Sequence, residues 1–390
     1  MYLRARRTIT AILFLLLLPS LNSSGSAIPI PVLTSPWRQA APGYQYSFPR
    51  DHAAHPDYRV EWWYYTGNLQ SKNGRRFGYQ LTFFRVGISR DPTNASKWAL
   101  RDLYMAHFAI SDIDRESFKS FELINRAGIG WAGASTLEPY KSSEERHPPN
   151  VPIRVWNEDW FALIDEDNHS LQASEEGYSI NLKLVPAKPQ VIHGENGISE
   201  RGPLPENASH YYSVSRAEST GQITIGEERF DVSGLSWIDH EFGTSFLDEQ
   251  QKGWDWFSIQ LEDGRDLMLF QVRREDGSID SHSAGTLIDS SGRQTHVGYS
   301  DFSLTPGRAW QSPGGANYPV TWKVDLPKYG LSLDVAAALP DQELRTNDST
   351  GITYWEGSII AEDTKDRKIR GRGYLEMTGY SGTGMGRMLR

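Results

Sequence analysis

Apolar and polar residues alternate along most of the chain. In Phe77-Gly78-Tyr79-Gln80-Leu81-Thr82-Phe83 every second position carries a large apolar side chain, which lays those side chains on one face of a strand. The same spacing predicts strands at 60–69, 103–111, 178–185, 222–226, 230–238, 254–261, 266–273, 283–289, 320–325, 331–336, 353–361 and 370–378. No long apolar stripe recurs at 3.6-residue spacing. Glycine turns separate the strands, at Lys72-Asn73-Gly74, Glu262-Asp263-Gly264, Glu275-Asp276-Gly277 and Ser290-Ser291-Gly292. Many short strands joined by tight turns predict an all-β protein, either a sandwich or an up-and-down barrel.

An internal comparison turns this into an architecture. Trp62-Trp63-Tyr64-Tyr65-Thr66-Gly67-Asn68-Leu69 aligns without gaps on Trp254-Asp255-Trp256-Phe257-Ser258-Ile259-Gln260-Leu261, and each is followed by a glycine turn, an apolar strand and an arginine, Arg85 or Arg273. An offset of about half the chain predicts two similar barrel-like halves rather than a short-period solenoid. The segment 186–208, rich in Pro and Gly, is the expected linker, and a loop-rich insertion is expected at 134–152. The expected domains are an N-terminal arm at 28–56, a first barrel at 57–225 and a second at 226–390.

The N-terminus changes the picture of where the protein works. Arg4, Arg6 and Arg7 precede an apolar run from Ile9 to Leu18, and small residues lead to Ala27. This predicts a secretory signal peptide over 1–27, cleaved near Ala27 and too short in its apolar run to span a bilayer. The expected product is exported, periplasmic or secreted, with no stable membrane anchor. The chain has 40 basic and 49 acidic residues, and losing three arginines leaves 37 against 49, a charge of about −12. Such a balance disfavours nucleic acid as a partner. With no cysteine, disulfides, thiolate metal sites and thiol nucleophiles are excluded. The 13 Trp and 18 Tyr suit strands and can also wall an apolar pocket.

Several enzyme signatures fail on context. Gly128-Ile129-Gly130-Trp131-Ala132-Gly133 fits a dinucleotide pattern literally but is followed by prolines rather than a helix, and there is no Gly-x-Ser-x-Gly elbow, Walker lysine loop or zincin spacing. Neither metal nor cofactor is expected. The stretch Ser236-Trp237-Ile238-Asp239-His240-Glu241-Phe242-Gly243 differs, because it sets ionisable groups in apolar, aromatic surroundings. On a strand Asp239 and Glu241 share one face and His240 takes the other with Ile238 and Phe242. A carboxyl in an apolar pocket has a raised pKa and can donate a proton near neutrality, and a histidine held by a carboxylate can act as base or acid. Alternatively, the acids tie up backbone amides at a strand end. His107 lies on an apolar strand, where a lone histidine is more often a satisfied core residue. Glu61 opens an aromatic run, and Tyr212 sits just beyond the linker.

The combination of Glu61-Trp62-Trp63-Tyr64, Ala106-His107-Phe108-Ala109, Tyr211-Tyr212-Ser213, the 236–243 stretch, Gly253-Trp254-Asp255-Trp256-Phe257, Tyr354-Trp355-Glu356-Gly357 and Gly373-Tyr374-Leu375-Glu376 resembles the AttH-like predicted secreted hydrolases, relatives of carotenoid 1,2-hydratase. The resemblance implies two lipocalin-like (calycin) barrels in tandem, a hydrophobic ligand and a site between or within the barrels. Members of the family include the hydratase, which protonates an isoprenoid double bond and adds water. Others are labelled hydrolase or occur beside ABC exporter components. Phe242 stands where the carotenoid enzymes carry tryptophan, and their later Tyr/Asp pair has no match in Leu269-Phe270-Gln271-Val272-Arg273.

The expectation is therefore a lipocalin-like acid–base enzyme of hydrolase or hydratase type. Asp239 or Glu241 is the proton donor or the orienter of His240, and His107 and Tyr212 are auxiliary donors. Glu61, Trp63, Tyr64, Trp237, Trp254 and Trp256 line the ligand. The competing expectation is a non-enzymatic carrier of a hydrophobic or amphipathic molecule, working with an ABC-type exporter.

Overall fold

The computed structural model of the protein describes residues 36–90, 96, 98–128, 130–136, 151–245 and 247–382. The expected signal peptide lies outside them. Helix among the described residues is confined to four 3-10 turns of three residues each, and the remainder is strand and turn.

The first sheet comprises β1 (Val60–Ser71), β2 (Arg76–Gly87), β3 (Asp102–Asp112), β4 (Ser117–Arg126), β5 (Ala132–Thr136), β6 (Ile153–Asn157), β7 (Trp160–Asp165), β8 (Asn168–Glu175), β9 (Tyr178–Pro186), β10 (Val191–Ile192), β11 (Ser199–Glu200), β12 (Ala208–Ile225) and β13 (Glu228–Gly243). The strands beyond it are β14 (Gln251–Leu261), β15 (Asp266–Arg274), β16 (Ala284–Ile288), β17 (Gln294–Val297), β18 (Ser303–Pro306), β19 (Ala309–Gln311), β20 (Asn317–Pro319), β21 (Thr321–Leu326), β22 (Leu331–Ala337), β23 (Glu343–Thr346), β24 (Ile352–Asp363) and β25 (Ile369–Met377). The first sheet runs β4-β3-β2-β1-β13-β12-β9-β8-β7-β6-β5, and the second runs β17-β16-β15-β14-β25-β24-β22-β21-β18. In both, the first strand of the unit pairs with the last and the sheet curls into a lipocalin-like barrel. β14 therefore corresponds to β1, β15 to β2, β25 to β13 and β24 to β12, which extends the internal repeat from one aligned octet to a shared topology.

The turns fall where glycine was expected to make them. Gly74 and Gly264 sit at φ 90° and 85°, the left-handed region open to glycine without a Cβ penalty. Strands at 117–126 and 153–175, which alternation did not reveal, form β4 and β6 to β8.

The boundary differs from the expected one. β12 and β13 form one long hairpin turning at 226–227, and β13 pairs with β1 from Val60↔Gly243 to Ser71↔Val232. A second barrel beginning at 226 would split that hairpin. Segment 186–208, expected as a linker, instead folds back onto β12 through β10 and β11. Proline and glycine report irregular backbone but not which sheet the following strand joins.

The three largest apolar clusters fill the barrels and the space between them. One fills the first barrel around Trp63, Phe83, Phe108 and Trp160, and another fills the second around Phe257, Trp322 and Trp355. A third, with Tyr64, Tyr211 and Trp237 from the first barrel and Trp254, Trp256 and Phe270 from the second, lies between them. Each large side chain buried there contributes about 1.5–3 kcal/mol. Strands at this interface are covered on both faces, so β2 is buried at every position after Arg76 and the last eight residues of β13 are all buried. Gly78 permits the close approach, since a Cβ there would stand 2.6 Å from the Tyr374 hydroxyl. Polar contacts also cross the interface: Asp266 of β15 accepts from Lys188 and Arg216 at 2.6 Å each.

Candidate active site

β13 carries two different sites on its two faces. Registry across the sheet puts His107, Thr82, Tyr64, Asp239 and Ser213 in one transverse row. The next row is Ala106, Phe83, Trp63, His240 and Tyr212. Because side chains alternate, the first row faces the second barrel and the second row faces the interior of its own. The expected site residues therefore divide. Asp239, Glu241, Tyr64, Trp237 and His107 lie on the inter-barrel side, where Trp254 and Trp256 meet them, whereas His240, Tyr212, Glu61 and Trp63 lie inside the first barrel.

On the inter-barrel side is a cavity lined by Trp62, Tyr64, Gln80, Thr82, Phe84, Arg201, Tyr211, Asp239 and Glu241 of the first barrel and by Trp254, Trp256, Phe270, Tyr354, Glu356 and Glu376 of the second. Its free space is about 40 Å³, room for a few waters, so a larger guest requires wall side chains to move. Trp62, only partly buried, stands on this wall. A groove of about 670 Å³ on another face, with Lys72, Arg76 and Arg372 among its lining, is larger. It gathers no comparable set of buried acids.

Four carboxyls converge on the small cavity. Asp239 Oδ1 accepts from Trp237 Nε1 at 2.6 Å and from the Ser213 hydroxyl, and Oδ2 accepts from the Tyr211 hydroxyl at 2.9 Å. Burial outweighs these bonds and, with Glu241 nearby, raises the Asp239 pKa to about 7. Burial likewise raises Glu376 to about 7. Glu356 is pushed well above its ordinary value by burial and by the neighbouring Glu376, and only its Oε2 is bonded, to Gln80 at 2.8 Å. Glu241 is also raised by burial, against the pull of Arg201, which grips it with both nitrogens at 2.5 and 3.1 Å. The Tyr64 hydroxyl and Glu356 Oε1 are buried without a hydrogen-bond partner. Three protonatable acids against aromatic faces make a site that can both give and take a proton at neutral pH.

Asp239 and Glu376 occupy corresponding positions. Tyr64 pairs with Asp239 across β1 and β13, and Trp256, aligned with Tyr64 by the repeat, pairs with Glu376 across β14 and β25. The two aromatic counterparts touch, with ring centroids 5.3 Å apart. His107 stands behind this wall, its Nδ1 2.8 Å from the Tyr354 hydroxyl and its Nε2 3.0 Å from Ser349. Burial lowers its pKa to about 3, so it is neutral and orients Tyr354.

Inside the first barrel, His240 Nε2 lies 2.8 Å from Glu61 Oε1 and its Nδ1 3.0 Å from the Tyr212 hydroxyl. Its ring stacks on Trp63 at 4.8 Å. The chain of contacts continues into the arm, through His52 Nδ1 on Tyr212 at 2.7 Å and through His55 Nδ1 on Glu61 at 2.8 Å. Burial alone would raise Glu61, but Arg85, His240 and His55 hold it well below the ordinary range. Burial lowers His240 to about 4. His55, Glu61 and His240 bring ligand atoms within 4.8 Å of one another, a set that could hold a metal ion. Glu61 already accepts from both imidazoles, the His55 amide and Arg85, so the set has the geometry of a hydrogen-bonded hub. His107 and His240 lie on opposite faces of the first sheet.

Sequence reasoning missed Tyr211, Arg201, Glu356, Glu376 and Tyr354 as site residues. The signal was present in Tyr354-Trp355-Glu356 and Tyr374-Leu375-Glu376, acids set among aromatics just as Asp239 is. Arg201 and the arm histidines lie in irregular segments without a period to read.

The family profile of AttH-like proteins matches residues 39–380. No curated protein matches the chain. Among solved structures, an AttH protein from Nitrosomonas europaea is 34% identical and superposes with a TM-score of 0.76, over 88% of this chain and 99% of that one. Kievitone hydratase from Nectria haematococca is 12% identical, with a TM-score of 0.65 over 88% and 98% of the two chains. It shares the fold.

Proposed function

The chain belongs to the AttH-like family, and on that premise we propose that it is an exported acid–base enzyme of hydratase type acting on a hydrophobic or amphipathic small molecule held between its barrels. The supporting observation is the pairing of Asp239 and Glu376, two corresponding buried acids with pKa values near neutrality on opposite walls of one aromatic cavity. Neutral Asp239 donates a proton to an electron-rich carbon of the substrate's double bond. The faces of Tyr64 and Trp256 stabilise the resulting cation. Water then adds to it and loses a proton to Glu376 in its ionised form, or to Glu356. The atoms of one water are added across the double bond and the proton count of the protein is unchanged. Export is supported by the arginines and apolar run of the first 18 residues. Delivery of the small molecule to or from an ABC-type exporter fits the same location.

The test is incubation of the purified protein with a panel of apolar alkenes in ¹⁸O-water, read by mass spectrometry. The expected result is a product carrying one labelled water. Asp239→Asn is expected to lower its formation by about 10² or more. Ligand recovered unchanged at one equivalent per chain would replace the enzyme with a carrier.

A further inference from the structure

Asp239 is joined to a second chain of side chains that does not touch the cavity. Ser213 donates its hydroxyl proton to Asp239 Oδ1. With that proton engaged, Ser213 Oγ accepts from His193 Nε2, 2.6 Å away. His193 Nδ1 is then the acceptor for the Thr286 hydroxyl at 2.8 Å. Every donor in the series points towards Asp239. His193 and Ser213 are completely buried and Thr286 nearly so. The path starts on β16 of the second barrel, crosses the loop after β10 and ends on β13 of the first. Thr286 stands opposite the exposed His296 in the β16–β17 ladder. His296, Gly194 and Gly285, neighbours of the path's outer end, line a cleft of about 320 Å³.

An acid that protonates a substrate must regain its proton, and a guest filling the cavity blocks water from that side. We infer that Thr286, His193 and Ser213 are a proton-return path that refills Asp239 from the cleft, a role that rests on Asp239 being the acid. In one passage Asp239 gives its Oδ2 proton to the substrate. Ser213 passes its proton to Oδ1, His193 passes the Nε2 proton to Ser213, and His193 takes one at Nδ1 from Thr286. Thr286, itself buried behind the cleft wall, takes one from a water beside its cross-strand neighbour His296, which lines the cleft. One proton enters at the cleft for each that Asp239 gives up, the proton taken by Glu376 leaves to solvent as product departs, and rotation of the hydroxyls and of the Asp239 carboxyl, with a ring flip at His193, restores the start. Burial, with Arg201 and His296 adding to it, lowers the His193 pKa to about 3, so the ring relays as a neutral imidazole. Ser213 and His193 are positioning and relay residues; neither lines the cavity.

The test uses the full chain saturated with n-decane, which has no double bond to protonate and keeps water out of the cavity. The protonated-carboxyl infrared band of Asp239, assigned by its loss in Asp239→Asn, is followed at equilibrium and after a rapid drop in pH. His193→Gln keeps a donor for Ser213 and an acceptor for Thr286 but cannot relay a proton. It is expected to leave the titration midpoint in place and to slow appearance of the band about tenfold or more. Ser213→Ala is expected to slow it as much and to raise the midpoint, because a donor to the carboxylate is lost. Thr286→Val, at the outer end, gives the same slowing where His193→Gln does not fold. Wild-type rates in His193→Gln or Thr286→Val overturn the path and show that protons arrive through the cavity. A wild-type chain with no band titrating near neutrality overturns the acid assignment, and the path with it.

Discussion

The two faces of β13 use the same residue types to opposite ends. Inside the first barrel, Glu61 is surrounded by donors, Arg85 among them, and stays ionised while His240 beside it stays neutral. Across the strand, Asp239 has three neutral donors and no cation of its own, and burial wins. Arg201 is spent on Glu241, and Glu356 and Glu376 have no paired cation among the described residues. Burial alone thus does not decide whether a carboxyl in this protein is an acid or an anchor. What separates Glu61 from Asp239 is the donor set, which includes Arg85 for the one and only neutral groups for the other.

That contrast can be broken most sharply at Arg85. Arg85→Ala leaves Glu61 buried and uncompensated, and unfolding in urea should show a loss of about 3–5 kcal/mol. Asp239 should give the next largest effect, with the opposite sign at high pH. Its folded pKa lies above its unfolded value, so its contribution is fully present below about pH 4 and is lost as pH rises through about 7. A shift from 3.8 to about 7 corresponds to a loss of up to about 4 kcal/mol. Asp239→Asn should flatten the stability profile between about pH 4 and 7, and an unflattened profile would place the charge elsewhere. Turnover that depends on neutral Asp239 should fall as pH rises through about 7.

Smaller effects sharpen the comparison. His240→Ala removes the bridge between Glu61 and Tyr212, and should cost about 1–3 kcal/mol and increase proteolysis of the arm at 44–58. The two tyrosines make the finest test. Tyr212→Phe removes a hydroxyl bonded to His52 and His240 and should cost about 1 kcal/mol. Tyr64→Phe removes a buried hydroxyl without a partner and should change stability by less than about 1 kcal/mol, or raise it. Equal costs would mean that the cavity is as well bonded as the barrel interior.

Much of this was legible in the sequence. Alternation, glycine turns and the repeat of Trp62–Leu69 at Trp254–Leu261 led to two β-barrels, and the period of two placed Asp239 and His240 on opposite faces. What period cannot report is the partner of each face. The run Glu61-Trp62-Trp63-Tyr64-Tyr65 is apolar on both sides because both are covered, so Trp63 and Tyr64 looked like one wall when they belong to two. Pairing of β13 with β1, from Val60↔Gly243 to Ser71↔Val232, is a contact between segments far apart in the chain, and no local pattern encodes it. Arg201, His193 and His55 sit in irregular backbone, where only the fold brings them to a carboxylate or a serine.

The correspondence of Asp239 with Glu376 has an evolutionary consequence. Where equivalent residues of two like halves touch each other, as Tyr64 and Trp256 do, the contact is of the self-complementary kind found in two-fold dimers. A dimer of one barrel would be obliged to present the same side chain twice, at both walls and at both neighbouring positions. Fusing two copies into one chain lifts that obligation. One wall can then keep Ser213 beside its aspartate while the other places Glu356 beside its glutamate, and a symmetric pocket becomes one with a donor side and an acceptor side.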